Sequence, residues 1–173
     1  MTGKLNEVVF GPLQLNGEFD YNISDICEIN EETLKYVESI GDQKIKFINA
    51  VNASMFTRVI KLDLGYMQPI IGIFTVKLFN HSYNISHVSI HRLFRNQGLS
   101  KLFMTSFANY LSGENNVKTF VTCVIPENLV NGYSGIVELF RSLNFIEVKM
   151  GTYKYMSIPT KNFIKLINSP IDI

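Results

Sequence analysis

The stretch Ile90 to Ser100, I-H-R-L-F-R-N-Q-G-L-S, joins a predicted strand to a predicted helix through a turn that contains a glycine. Before it, the β-branched residues Ile85, Val88 and Ile90 predict a strand that ends near His91. After it, apolar residues recur three and four positions apart, which is typical of a helix with one buried face. They are Leu99, Leu102, Phe103, Phe107, Tyr110 and Leu111.

This turn has the features of an anion-binding site. A helix N-terminus offers unpaired N–H groups and the positive end of the helix dipole, which together bind phosphate oxygens. Gly98 lets the backbone approach an anion, and Arg95 adds a charged donor. The segment is neither a nucleotide P-loop nor a three-glycine dinucleotide motif. Its spacing leaves phosphate binding and a purely structural turn equally open, because many α/β proteins contain such a turn.

The flanking segments predict an α/β fold with a mixed sheet and helices on its faces. Gly113 is expected to cap the helix after the turn. Helical spacing is found from Ile23 to Asn52, with a break near Gly41, and again from Ser134 to Leu143. The other predicted strands are Thr57 to Leu64 and Ile70 to Phe79, which form a hairpin, then Val117 to Ile125, Phe145 to Met150 and Tyr153 to Ile158, with a turn at Asn80 to Asn84.

The composition predicts one compact domain over residues 1–173. The chain has 173 residues, of which 46% are hydrophobic and 18% charged. The net charge is only +1, and the basic residues are scattered along the chain. Both features argue against a dedicated nucleic-acid binder but leave a structured RNA substrate open. Cys27 and Cys123 lie far apart, so neither a disulfide framework nor a zinc site is expected.

The expected location is the cytoplasm. Residues Met1 to Asn16 lack the basic and apolar regions of a signal peptide. The apolar run from Pro69 to Phe74 is far shorter than the roughly 20 residues that cross a bilayer. We therefore expect no membrane partner.

The central segment resembles the acetyl-CoA-binding motif of GNAT acetyltransferases, V-x-P-x-x-R-x-x-G-x-G/A. Ile90 stands at the first hydrophobic position, Arg95 at the basic one and Gly98 at the central glycine, while Ser100 replaces the final Gly or Ala. Downstream, Tyr133 to Phe145, Y-S-G-I-V-E-L-F-R-S-L-N-F, resembles the family's N-x-x-A-x-x-x-Y-x-x-x-G-F. Asn144 there replaces a glycine, and asparagine tolerates the left-handed conformation that such a glycine adopts.

The resemblance implies a mixed, mostly antiparallel central sheet flanked by helices, and acetyl-CoA as the acyl donor without a metal. In the family, the backbone equivalent to Val88, Ser89 and Ile90 pairs with the pantetheine amides. The phosphates are held next to the basic position, Arg95, mainly by backbone amides. The residues implied for this second role are Asn96, Gln97, Gly98, Leu99, Ser100 and Lys101.

The resemblance leaves the catalytic groups less defined than the donor site. The family's proton-donating tyrosine falls at Phe140, which cannot give a proton. Tyr133 could serve instead, although an ordinary half-buried tyrosine is the commoner interpretation. His87 has a pKa suited to a general base. However, the family's base positions fall at Asn84 and Ser86, three residues and one residue before His87. A shift by an odd number of residues faces the other side of a strand unless a bulge intervenes.

Three further residues are weighed as candidates and not expected to be catalytic. His91 lies in the turn and is expected to be structural or adjacent to the cofactor. Cys123 is expected to be a small buried hydrophobe and not a nucleophile. Glu127 could orient an amine, but a solvated loop glutamate is the simpler interpretation.

The leading hypothesis is an N-acetyltransferase whose acceptor is a primary amine of a small molecule, a protein or an aminoacyl-tRNA. The amine attacks the thioester directly in a ternary complex. The alternative is an inactive GNAT-fold protein that binds acyl-CoA, or that binds a macromolecule without it. The apolar tail from Asn162 to Ile173 is expected to pack on the domain, and a homodimer is left open.

Overall fold

A computed structural model of the chain describes residues 2–10, 13–24, 54–66, 68, 70–91, 94–115, 117–125, 134–150 and 153–168. The described ranges contain eight strands and three helices. In chain order they are β1 (Thr2–Phe10), β2 (Leu13–Ser24), β3 (Phe56–Asp63), β4 (Ile70–Phe79), β5 (Ser82–Ile90), α1 (Leu99–Ser112), β6 (Phe120–Ile125), α2 (Ser134–Ser142), β7 (Ile146–Met150), β8 (Tyr153–Pro159) and α3 (Thr160–Asn168).

The chain divides into two compact units. The first comprises Met1–Thr75 and His87–Phe103, and the second comprises Val76–Ser86 and Met104–Ile173. Strands β4 and β5 and helix α1 each contribute residues to both units. The expectation of a single domain over the whole chain stays a prediction.

In the first unit the hydrogen-bonded strand order is β1-β2-β3-β4-β5. β1 pairs antiparallel with β2, and β2 pairs antiparallel with β3. The predicted start of a helical region at Ile23 was wrong, because Ile23 and Ser24 end β2 and pair with Ile60 and Val59. The local pattern there is the two-residue alternation of a strand. The rest of that predicted region, residues 25–52, lies outside the described residues.

The core of the first unit joins β3, β4 and the first turn of α1. The ring of Phe74 on β4 is fully buried and lies edge-on to Phe56, with ring centroids 6.1 Å apart. On its other side it stacks on Phe103 of α1, with centroids 5.5 Å apart. This aromatic packing fixes the beginning of α1 on β4, next to the turn that the sequence singles out.

In the second unit the strand order is β4-β5-β6-β8-β7. β5 and β6 are parallel, whereas β6–β8 and β7–β8 are antiparallel. The prediction of a mixed, mostly antiparallel sheet flanked by helices is thus confirmed. β5 begins at Ser82, so the predicted turn from Asn80 to Asn84 is shorter than expected. β6 begins at Phe120, three residues after the predicted start at Val117. Before Phe120, the Lys118 amide donates to Tyr83 Oη and the Thr119 amide donates to the His81 carbonyl.

Two helix ends differ in how they stop. Asn144 has φ 58°, the left-handed conformation expected at this position. The Phe145 amide bonds to the Phe140 carbonyl and the Asn144 amide to the Arg141 carbonyl, which is a Schellman motif closed by the Phe140 and Phe145 rings, 4.8 Å apart. Gly113 also follows a helix, but its amide bonds to Tyr110 in a tighter turn without positive φ.

The C-terminal residues form a helix that the sequence analysis treated only as an apolar tail. Phe163 of α3 is fully buried, and its ring contacts Phe107 at 6.0 Å and Phe145 at 6.1 Å within the second unit. The expectation that this tail packs on the domain is met by Phe163, while a homodimer stays a prediction. Within the described ranges, no helix combines the length and apolar character needed to cross a bilayer.

Candidate functional site

The turn between β5 and α1 has an unusual backbone. Asn96 and Gly98 both have positive φ, 63° and 74°, on either side of Gln97. The Gly98 carbonyl accepts a hydrogen bond from the Lys101 amide at 2.9 Å, which starts the helix. Alternating conformations of this kind direct successive N–H groups into one concavity, which suits an anion.

Gly98 is needed for its backbone conformation and for the open space beside it. Apart from Gly98 itself and its two neighbours in sequence, no heavy atom of the described residues lies within 4 Å of the position that a Cβ would occupy. A side chain would therefore not clash with the protein, but it would impose left-handed strain and fill the space in front of the amides. The turn thus presents a cradle that a Cβ would obstruct, which fits a phosphate group.

The turn is anchored to the strand before it. The His91 amide donates to the Ile71 carbonyl of β4 at 2.7 Å, and the Phe94 amide donates to the His91 carbonyl at 2.9 Å. Phe94 is fully buried, and its ring lies 5.8 Å from the His91 imidazole. His91 therefore has the structural role that was expected for it.

Two anchoring residues were missed by the sequence reasoning. Phe94 fills the core under the turn, although it stands in a segment interpreted for its polar groups. Gly72, inside β4, gives Ile90 and Phe103 room: a Cβ at position 72 would lie 2.8 Å from Ile90 Cδ1 and 3.2 Å from the Phe103 ring. An isolated glycine within a strand pattern indicates such a close approach, and that signal was available.

Arg95 is exposed at its head but anchored by one nitrogen. Its Nε donates a hydrogen bond to the Ile90 carbonyl at 3.0 Å. The other residues of the predicted donor site differ in their accessibility. Val88, Ser89 and Ser100 are half-buried, Asn96, Gln97, Gly98 and Lys101 are exposed, and the Ile90 and Leu99 side chains are buried, so that their backbone groups alone could reach a ligand.

Of the two predicted catalytic residues, the structure describes one. His87 lies on β5 and is half-buried, and this burial lowers the pKa of its imidazole below 6.5. Because burial disfavours the charged form, the ring is neutral near pH 7 and can accept a proton. Tyr133 lies outside the described residues, as does Glu127.

Asn84 stands on β5 at one of the family's base positions, and its side chain bonds to β6. It is buried, and its Nδ2 donates to Thr122 Oγ1 at 3.3 Å. Thr122 Oγ1 in turn lies 3.4 Å from the Tyr83 carbonyl. The amide therefore holds the two parallel strands together at their registered pair, Asn84 and Thr122.

Phe140 and Cys123 are both core residues of the second unit. The Phe140 ring is fully buried against Phe145. Cys123 is buried on β6, and burial raises the pKa of its thiol to about 12. At neutral pH the thiol carries its proton and is a poor nucleophile, which agrees with the expectation of a small buried hydrophobe. Among the described residues, no group of His, Cys, Asp or Glu side chains could hold a metal ion.

Comparison with solved structures identifies the architecture. The ribosomal-protein-S18-alanine N-acetyltransferase of Escherichia coli is 11% identical, with a TM-score of 0.59 over 81% of this chain and 94% of that one. Arabidopsis thaliana NAA60 in complex with acetyl-CoA is 15% identical, with a TM-score of 0.59 over 80% and 99%. A protein assigned to the GNAT acetyltransferase family from Desulfovibrio desulfuricans is 9% identical, with a TM-score of 0.58 over 81% and 99%.

The chain has the GNAT acetyltransferase fold. No family model matches the sequence, and no curated protein matches it either. The GNAT likeness is therefore one of structure, at 9% to 15% identity in these examples. The resemblance drawn from the segment Ile90 to Ser100 predicted this fold correctly.

Proposed function

We propose that this protein is an acetyl-CoA-dependent N-acetyltransferase that acetylates a primary amine by direct attack in a ternary complex. The supporting observation is the turn before α1, where positive φ at Asn96 and Gly98 and a helix N-terminus leave backbone N–H groups facing an open space. These groups suit the pyrophosphate of a CoA thioester. We place the enzyme in the cytoplasm, as the sequence features suggest.

The donor site uses mainly backbone groups. The amides of residues 96–100 hold the pyrophosphate, and the backbone of Val88 to Ile90 provides partners for the pantetheine amides. The Lys101 amide, which was also expected at the phosphates, donates to the Gly98 carbonyl instead. Bound acetyl-CoA supplies an activated acetyl thioester. One structural neighbour, NAA60, is itself in complex with acetyl-CoA, which supports assigning the same ligand to this GNAT fold.

His87 and Tyr133 supply the proton transfers in this proposal. The neutral imidazole of His87 takes the proton that the acceptor amine loses as the C–N bond forms. The Tyr133 hydroxyl gives a proton to the thiolate as the C–S bond breaks. The acceptor is a primary amine of a small molecule, a protein or an aminoacyl-tRNA, and the S18-alanine enzyme among the neighbours favours testing protein N-termini first.

Phe140 favours a second candidate function, an inactive GNAT-fold protein that binds acyl-CoA or a macromolecular partner. Its ring is fully buried and carries no hydroxyl at the position where the family has its acid. The enzyme turns over acetyl-CoA, whereas the inactive protein does not. If the protein is inactive, acyl-CoA binding distinguishes an acyl-CoA-binding protein from one that binds only a macromolecular partner.

The test is isothermal titration calorimetry with acetyl-CoA and CoA on the wild type and on Gly98→Glu. Gly65→Glu is the matched control, because Gly65 also has positive φ, 79°, and lies in the turn after β3. Beyond its two neighbours in sequence, no atom of the described residues lies within 4 Å of its Cβ position. We expect wild type and Gly65→Glu to bind both ligands and Gly98→Glu to bind neither. A folded wild type without binding would refute the enzyme.

Turnover is then measured as release of free thiol with pools of amines, peptides and aminoacyl-tRNA. Acetylation in one pool supports the enzyme and names its acceptor class. Binding of acetyl-CoA without turnover in any pool supports the inactive acyl-CoA-binding protein instead.

A further inference from the structure

The carbonyl of Ile90 points away from β4. The N–H of the same peptide, carried by His91, donates to Ile71 of β4 at 2.7 Å. A trans peptide holds its C=O and N–H on opposite sides, and the described residues contain no cis peptide. The Ile90 carbonyl therefore faces the opposite edge of β5, on which a pantetheine chain would have to pair.

The Arg95 side chain donates a hydrogen bond to this carbonyl. The Nε–H of Arg95 bonds to the Ile90 oxygen at 3.0 Å and so closes the segment between the end of β5 and the turn at Asn96. Hydrogen bonds from a guanidinium are charge-assisted and stronger than neutral ones. The bond ties the strand end to the residue directly before the amides of the cradle.

We propose that Arg95 is a positioning residue of the acyl-donor site and not a phosphate ligand; this inference rests on the proposed function. By capping the Ile90 carbonyl, Arg95 ends the stretch of β5 that can pair with pantetheine, which leaves the Ile90 N–H and the backbone groups of Val88. By the same bond it holds the turn in the conformation that aims the amides of residues 96–100 at the pyrophosphate.

The experiment compares Arg95→Met with Lys101→Met, each of which removes one positive charge near the cradle. Acetyl-CoA affinity is measured at several NaCl concentrations, and amide hydrogen exchange is measured by NMR without ligand. We expect Arg95→Met to bind about tenfold more weakly and the bonded amides of His91 and Phe94 to exchange about tenfold faster. Its salt dependence should stay near that of the wild type, because the phosphate contacts are unchanged in number.

Lys101→Met is expected to show the reverse: a shallower salt dependence with unchanged exchange at His91 and Phe94. The inference about Arg95 is overturned if Arg95→Met leaves that exchange unchanged, or if it flattens the salt dependence as much as Lys101→Met does. A wild type that binds no acetyl-CoA would overturn the proposed function, whereas unchanged exchange would overturn the hold on the turn. The two failures are therefore distinguishable.

Discussion

The Cδ1 atom of Ile90 lies 2.8 Å from the point where a Cβ at Gly72 would stand. Ile90 ends the strand that leads into the cradle, and the Phe103 ring, 3.2 Å from the same point, belongs to the first turns of α1. The absence of a side chain at Gly72 thus lets both ends of the turn settle on β4. A strand glycine far from the cradle in sequence sets the position of the cradle.

Gly72→Ala should destabilise the protein by about 1–3 kcal/mol, because one added methyl group overpacks a closed core. Acetyl-CoA binding should weaken as well, since Ile90 must shift. Urea unfolding and calorimetry measure the two effects. Gly113→Ala is the control, as its Cβ would meet only the Tyr110 carbonyl oxygen at 3.5 Å. Equal stability of Gly72→Ala and wild type would mean that Ile90 and Phe103 repack freely.

Asn144→Ala should lower the free energy of unfolding by about 1–2 kcal/mol, because φ 58° is unfavourable for a residue with a Cβ and no side-chain amide. Asn144→Gly should keep the wild-type stability, since glycine adopts this conformation without strain. Thermal and urea unfolding of both variants provide the check. A stable Asn144→Ala would show that the Phe140–Phe145 contact alone holds this helix end.

Phe140→Tyr should not create the missing acid. The Phe140 ring is fully buried against Phe145, so an added hydroxyl would enter the core of the second unit without a partner. We expect a loss of about 1–3 kcal/mol in unfolding free energy and no gain in kcat. Urea unfolding and thiol release measure these quantities. A higher kcat at wild-type stability would instead place this side chain at the leaving thiolate.

The fold was predictable from sequence where a pattern was long and local. The helix from Leu99 and the strand from Ile70 were found within a residue of their bounds. The helix has apolar spacing over more than two turns, and the strand is a mostly apolar run between two turns. Strands β1 and β2 were not predicted, although the apolar residues of β2 alternate as in a strand, at Leu13, Leu15, Phe19, Tyr21 and Ile23. Its pairing with β3, such as Ile23 with Ile60, joins residues distant in sequence, and no local pattern gives such a partner.

The sequence predicted the turn between β5 and α1 but not the contacts within it. The motif residues Arg95 and Gly98 mark the turn in any reading of the sequence. That Arg95 bonds back to the Ile90 carbonyl depends on a side-chain direction across five residues, which no spacing rule gives. The burial that lowers the pKa of His87 likewise comes from tertiary packing.

His87 should give the reaction a base limb below pH 6.5. Burial lowers its pKa from 6.5, so kcat/KM should fall only as the pH drops through this lowered value. His87→Gln should remove that limb together with most of the activity.

The stability of the protein should follow the same shift in pKa, because the unfolded chain binds a proton at His87 at a higher pH than the folded protein does. The stability of the wild type relative to His87→Gln should therefore be constant above about pH 7 and fall as the pH drops below 6.5, levelling off below the folded pKa. Rate profiles and urea unfolding from pH 5 to 8 measure both effects, with the wild type and His87→Gln compared in the same buffers. A limb that persists in His87→Gln would assign the base to another residue, while a stability difference independent of pH would mean that His87 keeps an ordinary pKa.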